Sequence, residues 1–138
     1  MWIYENKELK DIPENVYGYT YLITDIKNNK IYVGKKAFLH KSKTKLSKKA
    51  KSLPENKGKR IIRGTKDSGW KNYFGSSKEL QTQVKLLGEK NFKREILEFA
   101  TSKSDLALKE IEAQVKYNVL RINSYNLWIG GKVYKRFL

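Results

Sequence analysis

The stretch Y-G-Y-T-Y-L-I-T-D-I-K-N-N-K-I-Y-V-G, residues 17–34, decides the fold. Tyrosine occupies every second position from Tyr17 to Tyr21, which is the alternation typical of a β-strand. The asparagine pair at 28–29 favours a turn, because asparagine tolerates positive φ. The β-rich run 30–34 follows directly. The stretch therefore predicts a β-hairpin.

The regions after the hairpin contain two helix signals and one strand signal. They predict a helix over 77–87 with a Ser76–Glu79 capping box and a Gly88 stop, a strand over 92–99, and a helix from a Ser104 cap to about Leu120. This order predicts an α/β fold in which a small antiparallel sheet of about three strands is flanked by α-helices. No linker is visible, so we expect a single domain over 1–138.

The composition excludes several classes of protein. The chain has 138 residues, one His, no Cys and a net charge of +16. Disulfide frameworks, thiolate zinc sites and cysteine nucleophiles are excluded, and a histidine cluster is too. No segment approaches the roughly 20 apolar residues that a membrane span needs. We therefore expect a cytoplasmic protein without a membrane partner.

Most of the positive charge lies in one segment, residues 35–66. This segment holds 13 Lys and Arg residues and one acidic residue, Glu55. Concentrated positive charge is the footprint of a polyanion such as nucleic acid, whose condensed counterions are released on binding. A solvated loop or a patch for anionic membranes is the alternative. The low apolar content predicts a basic loop at 35–66 with one short helix near 44–52.

Two tyrosine-bearing triplets lie on the two arms of the hairpin. They are Tyr19-Thr20-Tyr21 and Tyr32-Val33-Gly34, and ten residues separate Tyr21 from Tyr32. Here the chain resembles the GIY-YIG nucleases, which are named after two such triplets on adjacent antiparallel strands. A downstream glutamate, Asn126 and the block 70–77 agree with this resemblance, and the block is similar to small stand-alone phage members.

The resemblance implies a metal-dependent DNA endonuclease that hydrolyses phosphodiester bonds, located in the cytoplasm of a phage-infected host. Mg²⁺ or Mn²⁺ is the implied cofactor, with Glu110 as its ligand. The implied catalytic residues are Tyr21, Tyr32, Glu110 and Asn126. Arg63, as a substitute for the family's arginine, and His40, the one imidazole of the chain, are further catalytic candidates. The expected DNA contacts are Lys35, Lys36, Lys41, Lys43, Lys45, Lys48, Lys49, Arg60 and Trp70. We also expect the charges of Lys35 and Lys36 to favour the phenolate form of the motif tyrosines.

Several assignments keep alternatives. Tyr19 is the fallback for Tyr21. Glu112 is the alternative to Glu110, since helical periodicity does not separate them and only the family's spacing to a residue four positions later favours Glu110. Many GIY-YIG members place an arginine where this chain has Ser42, so Arg60, Arg63 or a lysine must replace it.

Two other functions also fit the sequence. One is a catalytically inactive basic nucleic-acid-binding module on the same fold, which the missing arginine favours. The other is a small RNA-binding protein whose tyrosines stack on bases. The sequence leaves open whether the chain forms homo-oligomers.

Overall fold

The computed structural model describes residues 1–45, 61–131 and 135. The chain divides into two compact units, Met1–Phe38 with Gly69–Leu138, and Leu39–Ser68. The first unit contains β1 (Trp2–Tyr4), β2 (Lys7–Glu8), β3 (Gly18–Asp25), β4 (Lys30–Ala37), α1 (Lys78–Leu87), β7 (Phe92–Ala100) and α2 (Lys103–Lys116). The second contains β5 (Leu39–Lys45) and β6 (Ile61–Asp67). The expectation of a single domain stays a prediction.

The predicted hairpin is confirmed. Strands β3 and β4 pair antiparallel, with Tyr21 opposite Gly34 and Ile23 opposite Tyr32. The turn between them places Asn29 at a φ of 49°, a left-handed conformation that asparagine adopts more readily than most residues.

The sheet is larger than the sequence predicted. It has five strands in the order β2-β1-β7-β3-β4, and it is mixed because β1 runs parallel to β7. The prediction of about three antiparallel strands was therefore wrong in size and pairing. Strand β1 has only three residues, too few for alternation to be recognised. Burial of the Trp2 indole against the hairpin tyrosines holds this short strand in place.

Helix α1 is confirmed, but it begins one residue later than the capping-box spacing indicated. The N-cap is Ser77, whose hydroxyl oxygen accepts a hydrogen bond from the Leu80 backbone N–H at 3.3 Å. Gly88 follows the helix as predicted. Ser76 is consequently free to bond elsewhere.

Helix α2 is shorter than predicted and begins earlier. Ser102, not Ser104, is the N-cap, and it accepts from the Asp105 N–H at 3.0 Å. The helix ends at Lys116 instead of Leu120. Val115, near the end of this helix, is exposed. The side chain of Gln114 is buried in its place, because it bonds to the sheet.

The basic segment forms strands where the sequence predicted a loop. β5 and β6 pair as an antiparallel ribbon with Lys43 opposite Arg63. Alternation in β5 places polar residues between lysines, and neither lysine nor threonine prevents strand formation when the strand is solvated. Thr44 and Lys45 belong to β5, so the helix predicted near 44–52 is wrong there. Its remaining residues, 46–52, lie outside the described part of the chain.

The hairpin turn is fixed by a buried carboxylate. Asp25 accepts hydrogen bonds from Asn28, from the Asn91 side chain at 2.7 Å and from the Tyr125 hydroxyl at 2.7 Å. Burial opposes the ionised form, but these donors outweigh it and lower the pKa of Asp25 from 3.8 to about 2. Asp25 thus joins the turn to the start of β7 and to the C-terminal segment.

No helix in residues 1–45, 61–131 and 135 is long and apolar enough to cross a membrane.

Replacing Asp25 with Asn should lower the free energy of unfolding by about 2 kcal/mol at pH 7, because an amide donor would face buried donors. A lowered folded-state pKa contributes stability above the ordinary pKa, and this stability is lost as the pH falls towards 2. The difference in the free energy of unfolding between wild type and Asp25→Asn should therefore decrease as the pH falls below about 5. Urea unfolding over this pH range measures it, with exposed Asp11→Asn as the control. An equal stability of wild type and Asp25→Asn at pH 7 would contradict the prediction.

Candidate active site

A cleft in the first unit collects three of the predicted catalytic residues. It has a volume of about 520 Å³ and is lined by Tyr32, Glu110 and Asn126. Strand β4, helix α2 and the segment after α2 supply these residues, and the start of α1 closes the fourth side with Ser76 and its neighbours. The structure therefore places residues together that are far apart in the sequence.

Glu110 is half-buried at the wall of this cleft. Its carboxylate accepts a hydrogen bond from the backbone N–H of Lys35 on β4. Burial raises the pKa of Glu110, and the Lys35 charge and this hydrogen bond oppose that rise. Glu112 is exposed and lines a different pocket, beside Thr20 and Tyr117. Of the two candidate glutamates, Glu110 is the one that shares a cleft with Tyr32.

Tyr32 reaches the cleft from the edge of the sheet. Its hydroxyl lies 2.8 Å from the Ser76 hydroxyl, and either group can donate. Sequence reasoning missed Ser76, because it assigned this residue to the helix cap. The available signal was the serine pair 76–77, since one helix start needs only one of two adjacent serines.

Tyr21 lies beneath the cleft and does not line it. It is 1% exposed, and its hydroxyl hydrogen-bonds to that of Tyr73. Burial, followed by the neighbouring phenols Tyr73 and Tyr32, raises the pKa of Tyr21 well above its usual value. The expectation that Lys35 and Lys36 would favour a phenolate is therefore wrong for this residue, because the environment excludes water around it.

Tyr73 links the two motif tyrosines. Its hydroxyl bonds to Tyr21 and to Ser76, so a chain of hydroxyls runs from buried Tyr21 to Tyr32 at the cleft. The Lys36 ammonium lies 4.2 Å from the centre of the Tyr73 ring. The Lys36 ammonium therefore makes a cation–π contact with Tyr73, and its predicted DNA contact stays a prediction.

Asn126 pairs with the edge of the sheet. Its amide oxygen accepts the Val33 N–H at 3.0 Å, and its amide nitrogen donates to the Val33 carbonyl at 2.8 Å. Gln114 on α2 donates to the same carbonyl at 3.3 Å. Asn126 therefore fixes the C-terminal segment to β4 in the way that a further strand would. Its role as a catalytic helper stays a prediction.

Gly34, the last residue of the second triplet, allows close approach of Tyr21. A Cβ at this position would lie 2.5 Å from the Tyr21 hydroxyl and 3.1 Å from the Tyr32 ring. A side chain here would displace one of the motif tyrosines. The triplet therefore needs a glycine for packing.

The remaining predicted residues lie elsewhere. Lys35 is exposed on β4, and His40 and Lys41 are exposed in the second unit. The backbones of Lys43, Lys45 and Arg63 belong to the ribbon, whereas Lys48, Lys49 and Arg60 fall outside the described residues.

Trp70 is a correction to the sequence prediction. It was expected to contact DNA, but it is 1% exposed and packs edge-on against Phe38 in the core. An indole enclosed in this way cannot stack on a base. Its part in the fold is apolar, and its backbone carbonyl accepts a hydrogen bond from the Trp2 indole N–H.

Glu110, a residue of the cleft lining, could hold a hard divalent cation as a carboxylate ligand. Among the described residues, no group of three His, Cys, Asp or Glu side chains could hold a metal. Mg²⁺ nevertheless binds through one or two carboxylates while keeping several waters, and Glu110 offers one. A Cβ at Gly130 would come within 3.3 Å of the Glu110 oxygen, so the absence of a side chain there leaves space beside the carboxylate.

The hairpin carries both tyrosine triplets, and helix α2 places Glu110 in the same cleft as Tyr32 of the second triplet. These are the features that the sequence shares with GIY-YIG nucleases. The chain belongs to this superfamily: the family described as "Putative endonuclease segE, GIY-YIG domain" matches residues 2–129. The resemblance found in the sequence is thereby confirmed. Searches of curated proteins and of solved structures found no match.

Replacing Gly34 with Ala should destabilise the protein by about 1–3 kcal/mol, the usual cost of forcing extra volume into a packed site. Because the Tyr21 hydroxyl is the nearest obstacle, the double variant Gly34→Ala/Tyr21→Phe should lose less stability than the sum of the two single variants. Urea unfolding of the four proteins measures this coupling. Strict additivity would show that the two residues do not compete for space.

Proposed function

We propose that this protein is a metal-dependent DNA endonuclease that hydrolyses phosphodiester bonds in the cleft of Tyr32 and Glu110. One observation carries the proposal: in a chain of an endonuclease family, the phenol of the second triplet and the half-buried carboxylate line the same cleft. The alternative is an inactive basic binding module on the same fold. The inactive module would have the same cleft but would not cleave DNA.

The proposed division of roles follows from the position of each group. Glu110 would hold Mg²⁺ or Mn²⁺, a cation that stabilises charge on the attacked phosphate and on the leaving oxygen. The Tyr32 side chain reaches the cleft, and in its phenolate form it would take one proton from the attacking water and become the neutral phenol. Ser76 holds the Tyr32 hydroxyl in place through its 2.8 Å hydrogen bond. Exposed Lys35, next to the Glu110 carboxylate, would contact phosphate.

The predicted catalytic residues outside the cleft keep narrower roles. Tyr21 is buried and neutral, so it supports Tyr32 through the hydroxyl chain and does not contact water. His40 and Arg63 belong to the second unit, and we propose them as phosphate contacts. An arginine or a lysine there would replace the arginine missing at Ser42.

The basic ribbon, formed by β5 and β6, is the proposed DNA-binding element. Lysines alternate along β5 at positions 41, 43 and 45, and Arg63 lies opposite Lys43. A two-stranded ribbon fits the major groove of B-DNA, and its cations would bind phosphates. Phosphate contacts carry little sequence information, so we propose modest sequence specificity. The proposed location is the cytoplasm of a phage-infected host.

Glu110→Gln should reduce nicking of supercoiled plasmid by at least about 100-fold, since a neutral amide binds a divalent cation poorly. Glu112→Gln, on the exposed side of the same helix, is the matched control and should cut as wild type does. Tyr32→Phe should lose about 100-fold or more for lack of a proton acceptor. Agarose gels with Mg²⁺, Mn²⁺ or EDTA measure all four proteins.

The binding side of the proposal is checked in parallel by mobility shift. The inactive variants should still shift DNA. If wild type shifts plasmid DNA but cuts it with neither Mg²⁺ nor Mn²⁺, the endonuclease proposal falls and the inactive module is correct.

Replacing Lys41, Lys43 and Lys45 together with Gln should weaken duplex binding and flatten its salt dependence. Each lost phosphate contact reduces the slope of log K against log salt by about 0.9, so we expect a decrease of about 2 to 3. Lys7, Lys10 and Lys27, which lie outside the basic segment, provide a control triple variant of equal charge. Fluorescence anisotropy at several salt concentrations measures the slopes. Equal slopes for the two triple variants would contradict DNA binding by the ribbon.

A further inference from the structure

One of the three tryptophans is exposed to solvent, whereas the other two are buried. The chain contains three, and Trp2 and Trp70 are each 1% exposed in the core. Trp128 is 70% exposed and lines the cleft that also contains Tyr32 and Glu110. A large aromatic surface therefore faces solvent beside the proposed catalytic groups, although burying it would be favourable.

The segment that carries Trp128 is anchored on both sides. Before it, Asn126 forms its two hydrogen bonds with Val33. After it, the Gly130 N–H donates to the Gln114 side-chain oxygen at 3.4 Å. Only residues 127–129 lie between these anchors. Trp128 is thus presented at the cleft by a held segment, and its exposure does not result from a loose chain end.

We propose that Trp128 is a base-stacking subsite, which receives an unstacked nucleobase next to the phosphate that would lie at the proposed cation site of Glu110. This inference rests on the proposed nuclease function and names its substrate class more closely. The face of a base is available only when the base is single-stranded, flanks a break or leaves the helix. The favoured DNA would therefore be single-stranded or locally distorted at the cut.

Charge and chemistry favour a nucleobase over other occupants. The chain carries a net charge of +16, which attracts polyanions and disfavours contact with a second copy of the same chain. An indole stacks on every base, since each base has a π-face. The cleft, at about 520 Å³, falls in the size range of small-molecule sites.

Tryptophan fluorescence tests the proposal, because the other two indoles are buried. Short oligothymidylate is titrated into wild type in EDTA, so that no cleavage is required. We expect the oligonucleotide to quench the emission of Trp128. The same titration of Trp128→Phe should show no such quenching. Trp128→Ala should bind the single strand about tenfold more weakly, while intact duplex binding stays unchanged. Leu86→Ala, on helix α1 and outside the cleft lining, removes an apolar side chain of similar exposure; it is the control and should bind as wild type does.

Three outcomes would overturn the subsite. The first is an unchanged emission while a mobility shift shows bound oligonucleotide. The second is equal single-strand affinity for wild type and Trp128→Ala. The third is an emission that changes with protein concentration alone, which would mean that a second copy covers Trp128. Because the titration needs no metal or turnover, a failure of plasmid cutting would leave its result readable.

Discussion

The pairing of two side-chain amides with Val33 is the interaction on which the cleft depends. Val33 lies on β4, at the end of the sheet. Asn126 satisfies its N–H and carbonyl, and Gln114 bonds to the same carbonyl. One residue of backbone thereby fixes both helix α2 and the segment that follows it. A buried backbone group without a partner would cost about 1–3 kcal/mol. The hydrogen bonds that satisfy the Val33 backbone at the sheet edge are therefore the same ones that hold the walls of the cleft in place.

The tyrosines of the motif divide between packing and surface chemistry. Tyr19 and Tyr21 are fully enclosed by aromatic rings, and burial raises the pKa of both. Tyr32 pairs with the opposite strand but turns its hydroxyl towards Ser76. The hydroxyl chain through Tyr73 connects these environments. The Tyr32 hydroxyl is therefore held by a hydrogen-bond chain whose other end is buried in the core.

Local signals predicted the hairpin, helix α1 and strand β7, because alternation, turn residues and caps depend on residues that are close in the sequence. They did not predict β1, whose three residues are held by distant contacts of Trp2. In the cleft, Glu110 and Asn126 were named through family resemblance, since periodicity did not separate Glu110 from Glu112. Ser76 was missed as a cleft residue and Tyr73 as its hydrogen-bond partner, because their roles depend on which groups lie near them in space. Trp70 was misplaced for the same reason: exposure is decided by packing.

The bond from Tyr125 to Asp25 spans 100 residues, and that from Asn126 to Val33 spans 93. Contacts of such separation form late, since the chain between them must first be closed into a loop. During synthesis the hairpin and its tyrosines leave the ribosome well before residues 110–126 do. A growing chain therefore carries its basic segment and its tyrosines before the walls of the cleft have formed. The cleft can therefore assemble only after helix α2 and the segment that contains Asn126 have left the ribosome.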